Sequence, residues 1–412
     1  MGGAVKSCSS FGQQLVVALA LGACGPGSPP EVAVPRVAPQ PGIVTTAVGT
    51  GQQGFDGDGN APLQSWLNQP TEVGFDAAGR LYVIDWNNHR LRVEQDGVLQ
   101  TLLGTRLPGD WPPELAADAE LAGTELSLNH PMDIAFGEDD QAYVAAWHNH
   151  KVLELLPNQA VVRRIAGGDR PGYVGDGGEG AAALLNFPAS IVIDASGALL
   201  VADQRNNVIR RIAADASRSV ATLVGIKAPS SFAGDDEPAA NAGLGLCPYN
   251  EAGGADNPGP GGALALDQDG NLYVADTYNH CVRRILAGRD GLLGEGDPSE
   301  EVIQTVAGTC GEAGFETSEQ PDTLLLRTPR DIEIRDGHLF IADSGNHVVW
   351  SVELANGESR RVVGSGKPGP ASDHSEPLEA TLHEPFGIAF DRDGNLFIAD
   401  TLNQRIRVLW SH

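Results

Sequence analysis

Basic side chains are scarce in this sequence. Its 412 residues include 27 lysines and arginines against 54 aspartates and glutamates, which gives a formal net charge of -27. Proteins bind nucleic acid mainly through lysine and arginine side chains that displace counterions from the phosphates. The acidic excess therefore argues against a nucleic-acid partner. The apolar run near the N terminus, Leu15 to Ala23, has only nine residues, which is too few to span a bilayer.

This short run predicts a secretory signal. It follows a single lysine, Lys6, and ends at Cys24, a pattern typical of signal peptides. The ending "LGAC" resembles the lipobox of bacterial lipoproteins, which implies a signal peptide over residues 1–23 and a lipid on Cys24. The resemblance also implies an exported protein, in the outer membrane or on the periplasmic face, that meets the membrane only through its anchor. Residues 24–41 are rich in proline and predict an extended tether, so the folded domain is expected over residues 42–412.

Cysteines are few once this segment is removed. Cys247, Cys281 and Cys310 remain, and an odd number in an exported protein predicts one disulfide and one free thiol. The sequence leaves the pairing open.

One pattern recurs along the rest of the chain. It reads "VIDWNNHRLRV" from Val83, "VADQRNNVIRRI" from Val201, "VADTYNHCVRRI" from Val274, "IADSGNHVVWSV" from Ile341 and "IADTLNQRIRVL" from Ile398, with a weaker copy from Val144. The intervals between copies are 61, 57, 73, 67 and 57 residues, which indicates a repeat architecture. A catalytic group is needed once, so the repeated Asp-x-x-Asn predicts an architectural role and argues against Cys281 as a nucleophile.

Each unit predicts a small antiparallel sheet. Two apolar runs and one alternating run are separated by turn signals, and most units add a fourth run. Six such sheets predict an all-β, six-bladed β-propeller of four-stranded antiparallel blades. The last unit ends at Trp410 and lacks a fourth strand. The segment "IVTTAVG", Ile43 to Gly49, resembles a fourth strand but lies before the first unit. We therefore expect the N-terminal strand to complete the last blade and close the ring.

The repeated aspartate and asparagine are predicted to shape a turn. The aspartate is expected to accept hydrogen bonds from the N–H groups of the turn, and the asparagine to take the left-handed conformation. The histidines that follow, His89, His280 and His347, are expected to cover that turn. These structural turn residues are Asp85, Asn88, Asp203, Asn206, Asp276, Asn279, Asp343, Asn346, Asp400 and Asn403.

The units resemble NHL repeats. The resemblance is strongest in "GNLYVADTYNHCVRRI" from Gly270 and "GNLFIADTLNQRIRV" from Gly394, and it includes the preceding loop "GFDGDGNAP" from Gly54. It covers about residues 42–412, with a degenerate second unit, and implies the propeller fold. It also implies that the long loops and the Asp-x-x-Asn turns share one face, which is the expected binding face.

Two cation sites are compatible with the sequence. The first is the loop from Asp56 to Gly59, where Asp56 and Asp58 are closely spaced oxygen ligands of the kind that Ca²⁺ prefers, although tight turns explain its glycines equally well. The second is the channel mouth, because carboxylates occupy axial positions of the inner strands where small residues are expected. There the alternatives are a bound divalent cation and a solvated rim compensated by arginines such as Arg330. The channel-mouth candidates are Glu72, Asp133, Asp331 and Glu333, with His130 and His383 as nitrogen ligands.

A third candidate is a surface groove for a protein or peptide partner on the same face. Aromatic side chains outside the packed strands would anchor such a partner. The predicted binding-face aromatics are Trp66, Trp86, Trp111, Trp147, Tyr173 and Tyr278.

Two functions follow from these sites. The first is an envelope-anchored module that binds or scaffolds a protein or another ligand and requires no cofactor. The second is a metal-dependent hydrolase or lyase with its site at the channel, because amidating lyases and lactonases resembling these propellers hold metal there. The fourth unit offers Gly261 where such a lyase would need a further histidine, so we expect a binding module rather than an enzyme.

Overall fold

A computed structural model describes residues 39–411, apart from residues 106, 113–114, 117–118, 138–140, 157–160, 227–230, 249–258, 290 and 316–323. The expected signal peptide, Cys24 and the tether up to residue 38 lie outside the described residues. Within the described ranges, no helix is both long and apolar enough to cross a membrane.

The described residues form 25 short strands in six sheets. Strand β1 is Val44–Val48. Blade 1 has β2 (Pro70–Phe75), β3 (Leu81–Asp85), β4 (Arg90–Gln95) and β5 (Val98–Leu103). Blade 2 has β6 (Leu121–Ala122), β7 (Pro131–Phe136), β8 (Ala142–Ala146), β9 (Lys151–Leu156) and β10 (Val161–Ala166). Blade 3 has β11 (Pro188–Ile193), β12 (Leu199–Asp203), β13 (Val208–Ile212) and β14 (Val220–Val224). Blade 4 has β15 (Leu264–Leu266), β16 (Leu272–Asp276), β17 (Cys281–Ile285) and β18 (Ile303–Ala307). Blade 5 has β19 (Pro329–Arg335), β20 (His338–Asp343), β21 (Val348–Glu353) and β22 (Ser359–Val363). Blade 6 has β23 (Pro385–Phe390), β24 (Leu396–Asp400) and β25 (Arg405–Leu409), with β1 as its fourth strand.

Ten single-turn 3-10 helices connect these strands in the described part of the chain. Six follow the second strands of the blades: Trp86–Asn88, Trp147–Asn149, Gln204–Asn206, Thr277–Asn279, Ser344–Asn346 and Thr401–Asn403. The other four lie in the loops that precede inner strands: Pro62–Gln64, Gly123–Glu125, Gly180–Ala182 and Ala239–Asn241.

The predicted six-bladed all-β propeller is confirmed, and so is its closure. Strand β1 pairs antiparallel with β25, with Val44 opposite Leu409 and Thr46 opposite Arg407. Blade 2 differs from the expected four strands, because the long loop that enters it adds the short strand β6 outside β10.

Apolar side chains fill the space between neighbouring blades. In blade 4 every residue of β16 is buried, as expected for a strand covered on both faces. Between blades 1 and 2, Ile84, Leu91, Val144 and Leu153 are all almost completely buried. Each such side chain contributes roughly 1.5–3 kcal/mol relative to an exposed one, so the contacts between blades are a major source of stability.

A buried aspartate organises the end of each second strand. Asp276, at the end of β16, accepts the N–H of Gly245 at 2.5 Å and the side-chain N–H of Asn279 at 2.9 Å. Arg283 lies 3.7 Å from the same carboxylate, and both side chains are fully buried. Burial raises the pKa of Asp276 to about 6, although the hydrogen bonds and the charge of Arg283 act to lower this pKa. The aspartate thus joins its turn to the preceding loop and to the third strand.

The same arrangement recurs with substitutions. Asp85, Asp203, Asp343 and Asp400 accept the N–H groups of Asn68, Asn186, Arg327 and His383, respectively. In blade 2 the aspartate is replaced by Ala146, and Asn149 instead accepts the N–H of Asn129 at 2.8 Å. In blade 5 Trp350 replaces the arginine and donates its indole N–H to Asp343.

Two details of the predicted turn are wrong. The aspartates accept N–H groups from the preceding loop rather than from the turn that follows them. The left-handed residue is the one after the asparagine, with φ between 54° and 60° in all six blades. The asparagine stays inside the 3-10 turn because its side chain bonds the aspartate, as in Asn279.

The cysteines pair as one disulfide and one free thiol, as predicted. Cys281, the first residue of β17, is bonded to Cys310, which lies after β18. Cys247 is buried and is the one free cysteine of the described residues.

We expect Asp276→Ala to destabilise the protein by about 3 kcal/mol, because it leaves the buried N–H groups of Gly245 and Asn279 without their acceptor and removes one of the two carboxylates beside Arg283. Asp267→Ala is the matched control, since Asp267 bonds the turn between β15 and β16 and the Tyr273 hydroxyl within the same blade. It should cost about 1 kcal/mol. Urea denaturation measures both, and equal losses would contradict the role assigned to Asp276.

Candidate functional site

One face of the ring carries all six turns that follow the second strands. We call it the turn face, formed by residues 86–89, 147–150, 204–207, 277–280, 344–347 and 401–404. The inner strand of each blade also begins at this face, since Pro70 lies opposite Asp85 and Pro329 opposite Asp343. The turns therefore surround the narrow end of the channel.

In each turn, the side chain of the left-handed residue accepts a hydrogen bond from a backbone N–H of the next blade. We call this hydrogen bond an interblade latch. His89 Nδ1 accepts the N–H of His130 at 3.2 Å, and His280 Nδ1 accepts the N–H of Thr328 at 3.1 Å. The other four interblade latches join His150 to Phe187, Asn207 to Cys247, His347 to Glu384, and Gln404 to Gln69. The histidines therefore connect blades rather than merely cover their turns.

The latch histidines are held in the neutral form. Burial lowers the pKa of His150 to about 4 and also lowers the pKa values of His89, His280 and His347 below their ordinary value of 6.5. A protonated imidazole has no lone pair to accept an N–H. Each latch is therefore intact only while its histidine is neutral.

The first residue of each turn breaks the sixfold symmetry. In blades 4, 5 and 6 this residue is Thr277, Ser344 or Thr401, whose hydroxyl donates to the carbonyl of the first proline in the next blade or in blade 1. In blades 1, 2 and 3 the position is occupied by larger side chains: Trp86, Trp147 and Gln204. The turn face is consequently bulkier over blades 1 to 3.

These larger side chains build an aromatic–imidazole patch, which we define as Trp86, His89, His130, Trp147, His148 and Phe187. Ring centroids lie 4.2 Å apart for Trp86 and His130, and 4.3 Å apart for His89 and His130. His148 stacks on Trp147 at 4.2 Å. Trp147 and Phe187 are buried beneath half-buried Trp86, His89, His130 and His148.

Hydrogen bonds fix the orientation of this patch. His130 Nδ1 lies 2.8 Å from His148 Nδ1, and His130 Nε2 lies 3.2 Å from the Asn87 side-chain oxygen. Burial, together with the neighbouring histidines, lowers the pKa of His130 to about 3. Asn87 in turn donates to Gln69. The patch is therefore a pre-ordered surface in which His130 is neutral.

A second chain of hydrogen bonds continues around the rim. The indole N–H of Trp147 donates to the Gln204 side-chain oxygen at 2.7 Å, and the Gln204 amide donates to Gly259 O at 2.9 Å. The Tyr278 hydroxyl donates to the same carbonyl at 2.9 Å, and Arg330 donates to that hydroxyl. The rim of blades 2 to 5 is thus linked through side chains.

Two of the predicted binding-face aromatics are buried. Trp147 has no exposed surface because it fills the space between blades 2 and 3, and Trp111 is packed into the core between blades 1 and 2. Trp66 and Tyr173 are half-buried in outer loops, where Tyr173 covers the guanidinium of Arg210 at 5.0 Å. Only Trp86 and Tyr278 combine partial exposure with a position in the turns.

The oxygens of the Asp56–Gly59 loop are used by the protein itself. Asp58 accepts the N–H and the hydroxyl of Thr101, both at 2.9 Å, and lies 3.5 Å from Arg92. Asp56 accepts the N–H of Trp66 and the side-chain N–H of Asn60. The Arg92 guanidinium thus lies beside Asp58, one of the two carboxylates that the calcium hypothesis requires as ligands.

The channel carboxylates also have internal partners. Asp133 accepts its neighbour's N–H at 2.6 Å and the N–H of Ile191 in blade 3 at 2.7 Å. Asp331 accepts the N–H of Ile388 in blade 6 at 2.7 Å. Glu72 accepts the N–H of Val73 and packs on Gly387, where a β-carbon would lie 2.7 Å from its oxygens. These carboxylates therefore join adjacent inner strands.

The channel is narrow at the turn face and wide below it. Its free volume is about 410 Å³ around the last residues of the inner strands but about 20 Å³ around their first residues. Glu72, Asp133 and Asp331 line both the constriction and the wide part of the channel, and Glu333 lines the wide part. Burial and mutual repulsion raise the pKa values of Glu72 and Asp331 well above their ordinary range, and burial raises that of Glu333 to about 7.

The two predicted nitrogen ligands do not join this cluster. His130 belongs to the aromatic–imidazole patch, and His383 lies near His347 with ring centroids 5.8 Å apart. No group of three or more histidine, cysteine, aspartate or glutamate side chains in the described part of the chain is arranged to hold a metal ion.

Two residues of the turn face escaped sequence reasoning. His148 and Gln204 have no equivalent in the repeated pattern, so alignment of the units could not assign them a role. The detectable signal was their departure from that pattern, since Thr or Ser recurs where Trp86, Trp147 and Gln204 occur.

Comparison with known proteins supports the repeat type and the fold. The family model described as NHL repeat matches residues 262–285. The chain is 27% identical over 332 residues to Protein SUPPRESSOR OF QUENCHING 1, chloroplastic, of Arabidopsis thaliana, covering 76% of this chain and 27% of that protein. It is 26% identical over 366 residues to NHL repeat-containing protein 2 of Gallus gallus, covering 82% and 46%, respectively. The chain thus spans less than half the length of these curated relatives.

Solved structures share the architecture at low identity. An auxiliary nutrient binding protein from Bacteroides thetaiotaomicron matches with a TM-score of 0.61 and 13% identity, over 89% of this chain and 75% of the other. A protein of unknown function from the same species gives 0.61 and 15%, over the same shares. At such identities the likeness shows the fold alone.

The neutral latch histidines predict acid-sensitive stability. The folded pKa of His150, about 4, lies below the ordinary value of 6.5, so the unfolded chain binds more protons between these values. The contribution of His150 is present above pH 6.5 and is lost as the pH falls towards 4. Buried aspartates such as Asp203, whose pKa is raised to about 7, act in the opposite direction, so variants must be compared with the parent.

We expect His150→Asn to reduce the loss of stability between pH 6.5 and 4, since Asn207 performs the same latch in blade 3 without titrating. The reverse substitution, Asn207→His, should increase that loss. Urea midpoints across this pH range measure both effects. Parallel pH profiles for the two variants and the parent would contradict the latch mechanism.

Proposed function

We propose that the protein is an exported, lipid-anchored binding module that receives a protein or peptide partner on its turn face. The observation that carries this proposal is the aromatic–imidazole patch. It offers half-buried Trp86, His130 and His148 over a buried aromatic floor, with orientations fixed by hydrogen bonds. Rigid aromatic groups of this kind bind partners at little cost in conformational entropy.

The interior of the channel supports binding rather than catalysis. Oxygens of Asp133 and Asp331 accept N–H groups of adjacent blades. The neck that they line leaves about 20 Å³, so a ligand on the turn face does not pass through it. Propellers host both enzymes and binding proteins, so the proposal depends on this site and not on the fold.

A face-specific crosslinking experiment tests the proposal. A photoreactive residue at Asn87, beside the patch, should form a defined adduct in cells that make the full chain natively. The same residue at Asp269, in an exposed turn at the opposite end of the blades, is the matched control and should not form it. Excess soluble protein should compete for the adduct, whereas the Trp86→Ser, His148→Ser double variant should compete at least tenfold less well. Equal adducts at both positions, or equal competition by the variant, would contradict a docking role for this face.

The anchor has a separate test. We expect Cys24→Ser to abolish incorporation of labelled fatty acid and to shift the protein from the membrane fraction to the soluble periplasmic fraction, because the acyl chains provide its membrane affinity. Ser substitution at Cys8 is the control and should change neither result. Unchanged membrane retention of the Cys24 variant would refute lipid anchoring.

A further inference from the structure

One arginine lies at the neck of the channel. The neck is the constriction of about 20 Å³ whose lining includes Thr71, Met132, Arg330 and Phe386. Of the described residues that line it, Arg330 is the only cation. It belongs to β19 of blade 5 and lies one residue above the channel carboxylate Asp331.

Aromatic groups hold this guanidinium in place. Its central carbon lies 5.4 Å from the ring centroid of Tyr278 and 5.1 Å from that of Phe386. It donates one hydrogen bond, 3.3 Å long, to the Tyr278 hydroxyl, which is itself fixed by Gly259 O. Cation–π contacts and this hydrogen bond orient the planar donor group before any ligand arrives.

Arg330 differs from the buried arginines of the repeats in having no anionic partner among the described residues. Arg92, Arg210, Arg283 and Arg407 each lie within 4.0 Å of an aspartate. Among the described residues, no carboxylate lies within that distance of Arg330. Asp331 bonds the N–H of Ile388 instead, and burial raises its pKa, which weakens its charge. The expectation that Arg330 compensates the channel carboxylates is therefore not met by direct pairing.

Two buried polar atoms near this neck also lack partners. Arg330 Nε is buried without an acceptor, and the hydroxyl of Thr71, a residue only 3% exposed, has no hydrogen bond. Buried polar groups without partners are unusual and mark places where a ligand can supply one. The neck therefore offers N–H and O–H groups that an oxygen anion could satisfy.

We propose that Arg330 binds a carboxylate of the ligand that the turn face receives. The inference rests on the proposed function of that face. A planar, singly charged carboxylate matches the fork of a guanidinium. A phosphate is larger and more highly charged, so Glu72, Asp133 and Asp331, which line the same neck, would repel it more strongly than they repel a carboxylate. The carboxylate belongs to a peptide, as its C-terminal group or as an aspartate or glutamate side chain.

Two peptide libraries distinguish these sources. One contains octapeptides with free C termini, and the other contains the same sequences with amidated C termini, both including aspartate and glutamate. Each is passed over the immobilised full chain, its Arg330→Gln and Arg330→Lys variants, and the control Arg335→Gln. Arg335 lies at the other end of β19 and makes a similar cation–π contact with Phe390. Urea midpoints identify any variant that does not fold, and Arg330→Lys then provides the comparison because it keeps the charge but loses the fork.

We expect the full chain to retain carboxylate-bearing peptides at least tenfold better than Arg330→Gln does, with Arg330→Lys intermediate and Arg335→Gln unchanged. A preference for free C termini assigns the site to a terminal carboxylate. Equal retention of both libraries, with aspartate and glutamate enriched, assigns it to a side chain. Retention unaffected by Arg330→Gln overturns the inference but leaves the proposed function standing. Retention of no peptide by the full chain also overturns the inference, and crosslinking at Asn87 then decides separately whether the face binds a partner.

Discussion

The buried aspartate at the end of five of the six second strands is the interaction on which the other features of the blades depend. It is fully desolvated, yet it accepts backbone N–H groups from a loop sixteen or seventeen residues earlier in the chain in blades 1, 3, 5 and 6. The cost of burying this charge is offset only when all of its partners are in place. The carboxylate therefore fixes the turn, the preceding loop and the buried arginine together. The left-handed residue after the turn is then positioned to latch the next blade.

Ring closure extends this local order to the whole propeller. Six side-chain latches and the β1–β25 pairing join each blade to the next, so no blade is held by apolar contacts alone. The channel carboxylates serve the same purpose one layer below, because Asp133 and Asp331 bond the inner strands of following blades. Their chemistry resembles that of metal ligands. Their partners, however, are the N–H groups of Ile191 and Ile388, which lie at irregularities in the pairing of the inner strands.

Function depends on where the repeats depart from one another. A strictly repeated face would present six similar small hydroxyl residues at the start of its turns. Instead, Trp86, Trp147 and Gln204 enlarge one half of the face and order the aromatic–imidazole patch. Across the neck lies Arg330, a cation without an ion pair among the described residues, in a protein whose net charge is -27. An aromatic surface over blades 1 to 3, together with the cation of Arg330, suits a ligand that has an apolar segment and a carboxylate.

The sequence by itself determined the repeat, the number of blades, the order of strands and the closure by residues 44–48. These depend on hydrophobic periodicity and turn residues, which are local and recur six times. Tertiary structure alone decided which side chains meet. It paired Cys281 with Cys310, turned Trp147 inward, separated His130 and His383 from the channel carboxylates, and assigned the latch to His89 and its equivalents. Apart from the disulfide, which lies within blade 4, these contacts join residues from different blades, and a propeller brings such residues together through ring geometry that no local pattern encodes.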